Sequence, residues 1–263
     1  MSVSTRNNVH IRGRLDGPTI VFGHGFGCDQ NMWRFVAPAF ESEFRTVLFD
    51  QVGAGGSDLA SWRPEKYSTL HGYARDLIEI GETLRLRDAV FVGHSVSGMI
   101  GALATIAAPG LFGRLVMVGP SPRYIDDEGY AGGFTAPEID ELLQSLDDNH
   151  LGWSAAMAPV IMGNPDRPEL GKELENSFCR TDPAIARAFA RVTFTSDNRS
   201  DLANISVPTL ILQCADDAIA PREVGTFVHE RIPGSEIVYL DATGHCPNLS
   251  APAEVIAAVR NFV

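Results

Sequence analysis

Short apolar runs, each about the length of one β-strand, recur along this chain and alternate with helical patterns. Each run is continuous and rich in β-branched residues, as strands are when helices cover both faces of a parallel sheet. The alternation predicts a doubly wound α/β fold, with a mostly parallel central sheet flanked by helices. The six predicted strands are residues 18–23, 45–49, 89–93, 114–119, 207–213 and 236–240.

The segments between these strands predict amphipathic helices. Across residues 70–84, apolar side chains recur every three or four positions, which places them on one helical face. Residues 95–108 are rich in small and apolar side chains, and residues 253–262 form a last amphipathic pattern. These helices are the layers expected on either side of the sheet.

Residues 120–206 interrupt the alternation, because they contain helical patterns but no convincing strand. A crossover between parallel strands needs only one helix, so most of this stretch is predicted to be an insertion into one domain. The 263 residues also exceed the ~150 residues of a typical domain. Large apolar side chains concentrate in this stretch: Tyr124, Phe134, Leu142, Trp153, Met157, Phe178, Phe189 and Phe194. They can form a small core of the insertion or line a pocket beneath a lid.

The charge balance argues against partners that carry a phosphate backbone. The chain has 21 Lys and Arg against 33 Asp and Glu, and its basic residues form no cluster. Nucleic acids and anionic membranes require a basic surface, so neither partner is expected. The first residues lack a secretory-signal pattern, and no run reaches the ~18 apolar residues that span a bilayer. We therefore expect a cytoplasmic protein, in which the widely spaced Cys28, Cys179, Cys214 and Cys246 stay reduced.

A candidate nucleophile, Ser95, stands between a predicted buried strand and a predicted helix. The surrounding segment reads Gly93-His94-Ser95-Val96-Ser97, close to the G-x-S-x-G pattern of a sharp strand-to-helix turn. Such a turn needs small residues two positions before and after the nucleophile. Gly93 meets this need, and Ser97 takes the place of the second glycine. An ordinary serine at the start of a helix gives the same pattern, so the segment alone does not establish a nucleophile.

Two further segments supply an acid and a base in the chain order that such a serine needs. Asp216 and Asp217 follow one strand, and His245 follows the next. Because the carboxyl ends of parallel strands meet at one edge of a sheet, these groups are expected to lie near Ser95. The three placements predict a Ser-His-Asp triad. The two aspartates are adjacent, so their side chains diverge and only one of them can face His245.

Backbone amides are predicted to stabilise the oxyanion that forms when the serine attacks a carbonyl. One donor is the N–H of Val96, directly after the nucleophile. The other is assigned to the N–H of Phe26, because the flanking Gly25 and Gly27 let the backbone approach a substrate closely.

The sequence gives little support for a dinucleotide site, a metal site or a cysteine nucleophile. The glycine-rich segment 53–56 lacks the G-x-G-x-x-G spacing of a dinucleotide-binding loop. The histidines show no metal-ligand spacing, so neither a metal nor another cofactor is predicted. His94 is interpreted as a neighbour of the nucleophile, and Cys246 as a small buried filler rather than a second nucleophile.

Taken together, these segments make the chain similar to an α/β-hydrolase, and more narrowly to the RsbQ family. That family includes a bacterial stress-signalling protein and the plant karrikin and strigolactone receptors. The likeness covers nearly the whole chain. It rests on segments 24–30, 48–50, 52–58, 93–96, 118–122, 132–134, 166–168, 178–183, 212–217 and 244–247. Residues 96–100 look more like the plant receptors, and residues 213–217 more like the bacterial protein.

The resemblance implies Ser95, Asp217 and His245 as the triad. It also implies a four-helix lid, inserted after the sixth strand, over an apolar pocket. The domain division is then residues 1–120 and 195–263 for the hydrolase core and residues 121–194 for the lid. Besides Phe26, the expected pocket residues are Tyr124, Phe134, Leu142, Trp153, Met157, Phe194 and Ile219. Met157 stands where the plant relatives often have an aromatic residue, which would leave the pocket wider or more adaptable there.

Two functions follow as hypotheses. The first is a serine esterase, a hydrolase of small apolar esters or butenolide-like lactones, in a signalling or stress-response role. The second is a ligand receptor or regulator in which slow hydrolysis is secondary, with a PAS-domain PP2C phosphatase as the implied partner. A third interpretation keeps the fold but changes the reaction to that of a C–C hydrolase, a lyase or a cofactor-free perhydrolase.

Overall fold

The structure is a computed structural model that describes residues 2–263. Within these residues a sheet of seven strands has the order β1-β3-β2-β4-β5-β6-β7. Strand β1 pairs antiparallel with β3, and the other neighbouring pairs are parallel. The strands are β1 His10–Gly13, β2 Thr19–Gly23, β3 Arg45–Leu48, β4 Ala89–His94, β5 Phe112–Val118, β6 Thr209–Asp216 and β7 Glu236–Thr243. The predicted α/β fold is confirmed.

All six predicted segments form strands, β2 to β7, and one strand was missed. The four residues of β1 are all exposed, so the segment has neither a buried run nor a regular apolar alternation. The insertion was expected after the sixth strand, but it follows the fifth strand of the described chain, β5. Before β1 the described chain has one short helix, α1 Val3–Arg6.

Helices cover both faces of the sheet, and each face has its own apolar core. Side chains alternate along the strands: Val90 and Val92 belong to one core and Phe91 to the other. Helices α2, α3 and α8 contribute to the core around Phe91, whereas α10 contributes to the core around Val92. The helices outside the insertion are α1, α2 Leu70–Thr83, α3 Val96–Ala107, α8 Arg222–Arg231, α9 Pro247–Ser250 and α10 Pro252–Phe262.

Four helices fill most of the segment between β5 and β6: α4 Ala136–Asp148, α5 His150–Met162, α6 Pro168–Arg180 and α7 Pro183–Thr195. Capping residues mark the start of α4 and the end of α5. A capping box between Thr135 and Glu138 begins α4, and Gly163, in the left-handed conformation, ends α5. Most buried side chains of this insertion merge with the core on one face of the sheet, whereas Phe189 belongs to the core on the other face. The division into a hydrolase core and a lid domain stays a prediction.

The described residues contain no helix that is both long and apolar enough to cross a membrane.

Candidate active site

Ser95 lies at a sharp turn between β4 and α3. Its backbone angles are φ 55° and ψ −126°, a conformation that a non-glycine residue adopts only at an energetic cost. The turn is so tight that a Cβ on Gly93 would lie 2.4 Å from the carbonyl oxygen of Ser97. This close approach explains the glycine two positions before Ser95.

Ser97 replaces the second glycine of the usual pattern without disturbing the turn. Its side chain is fully buried, and its hydroxyl donates to the carbonyl oxygen of His24 at 2.5 Å. The same hydroxyl accepts a hydrogen bond from the Gln51 amide at 3.2 Å. Both polar functions of the extra hydroxyl are therefore satisfied, which is what a buried polar group requires.

A continuous chain of hydrogen bonds joins Ser95, His245 and Asp217. The Ser95 Oγ lies 2.7 Å from His245 Nε2, and His245 Nδ1 lies 2.7 Å from Asp217 Oδ2. All three side chains are buried. The neighbouring Asp216 points to solvent from the end of β6, so Asp217 is the aspartate that contacts the histidine.

The surroundings of Asp217 keep its carboxylate ionised. Burial raises its pKa, but the adjacent His245 and the amide N–H groups of Ala220 and Ile219 together hold the pKa below its ordinary value. These two amides donate to Asp217 Oδ1 at 3.1 and 2.9 Å, while Oδ2 remains for the histidine. An ionised acid at this position orients the imidazole and stabilises its protonated form.

His94 lies beneath the His245 loop and is neutral. Burial and, to a lesser extent, the nearby His245 lower its pKa to about 3. His94 Nε2 lies 2.7 Å from the backbone oxygen of His245, so this nitrogen carries the proton and donates it. The ring thereby supports the backbone of the histidine in the hydrogen-bonded chain.

The two backbone amides predicted to bind an oxyanion are free of protein partners. Within residues 2–263, neither the Phe26 N–H nor the Val96 N–H donates to another protein atom. Phe26 and Ser95 both line the same cavity. A helix N-terminus such as that of α3 also presents partial positive charge to a developing anion.

His24 and Gln51 shape the loop that contains Phe26, a role that was not predicted for either residue. The Gln51 N–H donates to His24 Nε2 at 2.9 Å, so the ring proton is on Nδ1 and is donated to the Gly25 oxygen at 2.9 Å. Both side chains are fully buried. The sequence signal that could have indicated this role for His24 is its position directly before Gly25-Phe26-Gly27.

A narrow apolar cavity of about 30 Å³ opens over Ser95. Four of the predicted pocket residues line it: Phe26, Tyr124, Phe194 and Ile219. Helices α5, α6 and α7 of the insertion supply further walls that the prediction did not include as pocket residues. These additional lining residues, together with neighbours of the triad, are Cys28, His94, Ile161, Leu174, Phe178, Thr193 and Cys246.

Phe134, Leu142, Trp153 and Met157 were expected in the pocket, but they do not line this cavity. Leu142 and Trp153 are buried within the apolar core that the insertion shares with the sheet. The Trp153 ring packs behind the wall, 5.3 Å from the ring of Phe178 and 6.2 Å from that of Phe26. Phe134 and Met157 are only partly buried against the same core.

The two thiols that line the cavity are not activated. Burial raises the pKa of Cys28 to about 12 and raises the pKa of Cys246 well above its ordinary value. Both therefore stay protonated at neutral pH and act as small apolar wall groups. A larger cleft of about 430 Å³ also includes Cys28 in its lining and contains none of Ser95, Asp217 or His245.

No group of three or more His, Cys, Asp or Glu side chains within residues 2–263 is arranged to hold a metal ion. The chemistry that the described residues can offer at the cavity is proton transfer along Ser95, His245 and Asp217, next to free backbone donors.

Comparison with known proteins places the chain in a family. The profile of the Alpha/beta hydrolase family matches residues 20–259. The chain is 38% identical over 262 residues to the Karrikin insensitive 2 receptor CA of Petunia hybrida, covering 99% of this chain and 97% of the receptor. It is 36% identical over 255 residues to the Strigolactone esterase D14 of Arabidopsis thaliana, covering 96% and 94%.

A solved structure is also closely similar. A hydrolase from Oleispira antarctica superimposes with a TM-score of 0.96 at 41% identity, covering 99% of this chain and 95% of the other. The family match, the plant relatives and this structure extend over nearly the whole chain. The chain therefore belongs to the alpha/beta hydrolase family.

Proposed function

We propose that this protein is a serine hydrolase of small apolar esters or lactones. The observation that carries the proposal is the hydrogen-bonded chain from Ser95 through His245 to Asp217 at the floor of an apolar cavity. A serine is a weak nucleophile until a base accepts its proton, and this geometry offers that base. The strigolactone esterase and the hydrolase among its relatives support the same class of reaction.

The reaction proceeds in two halves. Ser95 Oγ attacks the carbonyl carbon of the ester while His245 Nε2 takes the hydroxyl proton, giving a tetrahedral intermediate with a negative oxygen. The N–H groups of Phe26 and Val96 stabilise this oxygen. His245 then returns the proton to the leaving alkoxide, and an acyl group remains on Ser95. Water, deprotonated by His245, releases the acid and restores the serine.

The walls of the cavity favour a small uncharged substrate. Apart from the residues of the triad and His94, the lining consists mainly of aromatic, aliphatic and thiol side chains. Such walls bury apolar atoms favourably, and they would leave a charged group desolvated without a partner. The cavity holds only about 30 Å³, so we propose that helices α4 to α7 act as a lid that moves to admit the ester.

Hydrolysis of p-nitrophenyl acetate and of a fluorogenic butenolide tests this function. The wild-type protein should release the chromophore in proportion to enzyme, and Ser95→Ala should reduce the rate to the level without enzyme. A mass increase of the intact protein by one acetyl group, absent from Ser95→Ala, would identify the acyl intermediate. Equal rates for the wild-type protein and Ser95→Ala would exclude Ser95 as the nucleophile.

A receptor role is the second candidate, and the karrikin receptor among the relatives favours it. In this role the ligand enters the same cavity, and the insertion changes its position to bind a partner. If the chain is more closely related to bacterial RsbQ than to the plant receptors, the expected partner is a PAS-domain PP2C phosphatase and the expected role is stress signalling. Residues 213–217 favour that kinship. A pull-down with such a phosphatase, with and without a butenolide ligand, tests it: no ligand-dependent capture would count against this candidate.

A further inference from the structure

The loop that carries His245 is held by hydrogen bonds that the triad does not include. The His245 N–H donates to the backbone oxygen of Ile161 at 2.8 Å, and the His245 oxygen accepts from His94 Nε2 at 2.7 Å. Ile161 belongs to α5 of the insertion, whereas His94 ends β4 of the sheet. The backbone of the histidine is therefore fixed between the turn at Ser95 and the insertion.

One buried side chain, Asn164, joins the insertion to the same loop. It lies in the turn after α5 and is 8% exposed. Its Nδ2 donates to the Met162 oxygen at 2.6 Å and to the Thr243 oxygen at 3.0 Å. Met162 is the last residue of α5, and Thr243 is the last residue of β7, two positions before His245. A single amide thus connects the end of an insertion helix to the strand that leads into the histidine.

Arg167 orients this asparagine from the other side. Its guanidinium donates to Asn164 Oδ1 and also, at 2.7 Å, to the backbone oxygen of Ser250, which ends α9 beyond the histidine loop. The Thr243 hydroxyl donates to the Gly163 oxygen at 3.2 Å. The turn therefore holds the chain both before and after His245.

The packing between the turn and the loop leaves no free space. A Cβ on Gly244 would lie 1.8 Å from the Met162 oxygen, and one on Gly163 would lie 2.8 Å from the Gly244 Cα. Both glycines have positive φ angles, 82° and 61°. The two backbones are thus in direct contact, and a displacement of the turn must displace the histidine loop.

We propose that Asn164 is a positioning residue for His245. The turn after α5 then determines the position of His245, the base of the proposed hydrolase. The inference rests on the proposed function. Asn164 does not line the cavity and acts through the backbone of Thr243 and His245. Proton transfer needs His245 Nε2 within hydrogen-bonding reach of Ser95, and a misplacement of about 1 Å can cost ~10²-fold in rate.

The variant Asn164→Ala tests this role, because it removes both donors without touching the cavity. We expect kcat to fall by roughly 10- to 100-fold while KM changes by less than about threefold, since the base moves and the walls do not. A kcat equal to that of the wild-type protein would overturn the proposal.

A matched control comes from the other end of the same helix. Asn149 begins α5, where its side chain accepts the Gly152 N–H at 2.9 Å, far along the helix from the histidine loop. Asn149→Ala should lower the Tm and leave kcat near the wild-type value. If Asn149→Ala lowers kcat as much as Asn164→Ala at a similar Tm, general loosening of the helix explains the loss and the proposal is wrong.

A measurement without turnover separates this inference from the proposed function. The proton between His245 Nδ1 and Asp217 can be followed by NMR in the resting protein. It should broaden or disappear in Asn164→Ala and persist in Asn149→Ala, even if no ester tested is a substrate. A proton signal of wild-type position and width in Asn164→Ala would overturn the inference, whereas absence of hydrolysis in the wild-type protein would overturn only the proposed function.

Arg167→Ala is a second variant that tests the same proposal if Asn164→Ala does not fold. This variant keeps both N–H donors of Asn164 but removes the guanidinium that orients them. We therefore expect a smaller loss in kcat than in Asn164→Ala, and a broader NMR signal for the proton between His245 Nδ1 and Asp217. Wild-type values for both measurements in Arg167→Ala would overturn the proposal.

Discussion

Ser95 has a left-handed backbone conformation that persists only because its neighbours fit closely around it. Gly93 has no side chain to collide with the Ser97 carbonyl oxygen. The Ser97 hydroxyl, on the other side of Ser95 in the chain, donates one hydrogen bond and accepts another. The Ser95 side chain thus faces the cavity because of the packing of two residues that do not line it.

At the scale of residues, the two adjacent aspartates give a sharp prediction. Asp217→Asn should lower kcat by roughly 10³- to 10⁴-fold, because a neutral amide no longer fixes the tautomer of His245 or stabilises its charge. Steady-state hydrolysis of p-nitrophenyl acetate measures the effect.

Asp216→Asn is the matched control for this substitution. Asp216 has the same chemistry one position away, but its side chain points to solvent. The variant should keep the wild-type kcat. A large loss in Asp216→Asn, or none in Asp217→Asn, would contradict the assignment of the acid.

The sequence placed the candidate serine and histidine correctly at the edge of the sheet, because the ends of parallel strands meet there. It could not choose between Asp216 and Asp217 from spacing alone. That choice depends on how the chain leaves β6, where the Ile219 and Ala220 amides bind one oxygen of Asp217 and turn the other towards His245.

At the scale of elements, a cluster of charged groups ties the N-terminal helix α1 to α2. Arg6 of α1 lies 3.0 Å from Asp76 Oδ1 and 2.6 Å from Glu79 Oε2, both in α2. Lys66 and the Tyr67 hydroxyl also contact Asp76, whose side chain is fully buried. A buried carboxylate with three partners thus keeps α1 attached to α2.

This cluster predicts how stability changes in acid. Burial raises the pKa of Glu79, but Arg6 and Lys66 outweigh it and hold the pKa below its ordinary value. The contribution of Glu79 to stability is therefore complete above the unfolded pKa of about 4.3, and it is lost as pH falls through the lower folded pKa.

Urea unfolding of the wild-type protein and of Glu79→Gln from about pH 6 to 3 tests this pH dependence. The difference in unfolding free energy should be largest at the upper end and should shrink below about pH 5. Glu82→Gln, exposed on the same helix, is the control and should show no such trend. A difference between the wild-type protein and Glu79→Gln that grows towards acid would contradict the prediction.

At the scale of the whole molecule, the cavity over Ser95 is formed where the insertion meets the sheet. Phe178 of α6 reaches down to the loop after β2, where a Cβ on Gly27 would lie 2.0 Å from its ring. The same ring lies 5.9 Å from that of Phe26 and 5.3 Å from that of Trp153. Phe178 thus closes one side of the cavity over Ser95.

Phe178→Leu should change which esters the protein accepts. A shorter side chain enlarges the cavity, so kcat/KM for a butyrate or hexanoate ester should rise relative to acetate. We expect the variant to be less stable by roughly 1–2 kcal/mol. Phe112→Leu, buried against Phe91 on the other face of the sheet, should lose stability without changing the preference. An unchanged preference in Phe178→Leu would show that this wall does not limit the acyl chain.

The sequence by itself determined the strand and helix order, because hydrophobic periodicity is a local property that burial imposes on each segment. It also determined the position of the candidate serine, Ser95, at a strand-to-helix turn. It missed β1, whose side chains are exposed, and it could not tell which apolar side chains of the insertion line the cavity.

Only the tertiary structure decided those points. The apolar character of Trp153 and Phe178 favours their burial, but it does not show that Trp153 packs behind Phe178. Nor does it show that Asn164 lies against Thr243, because that contact joins segments far apart in the chain. Contacts of this kind depend on how the insertion packs against the ends of the strands, and that packing is a property of the whole folded molecule.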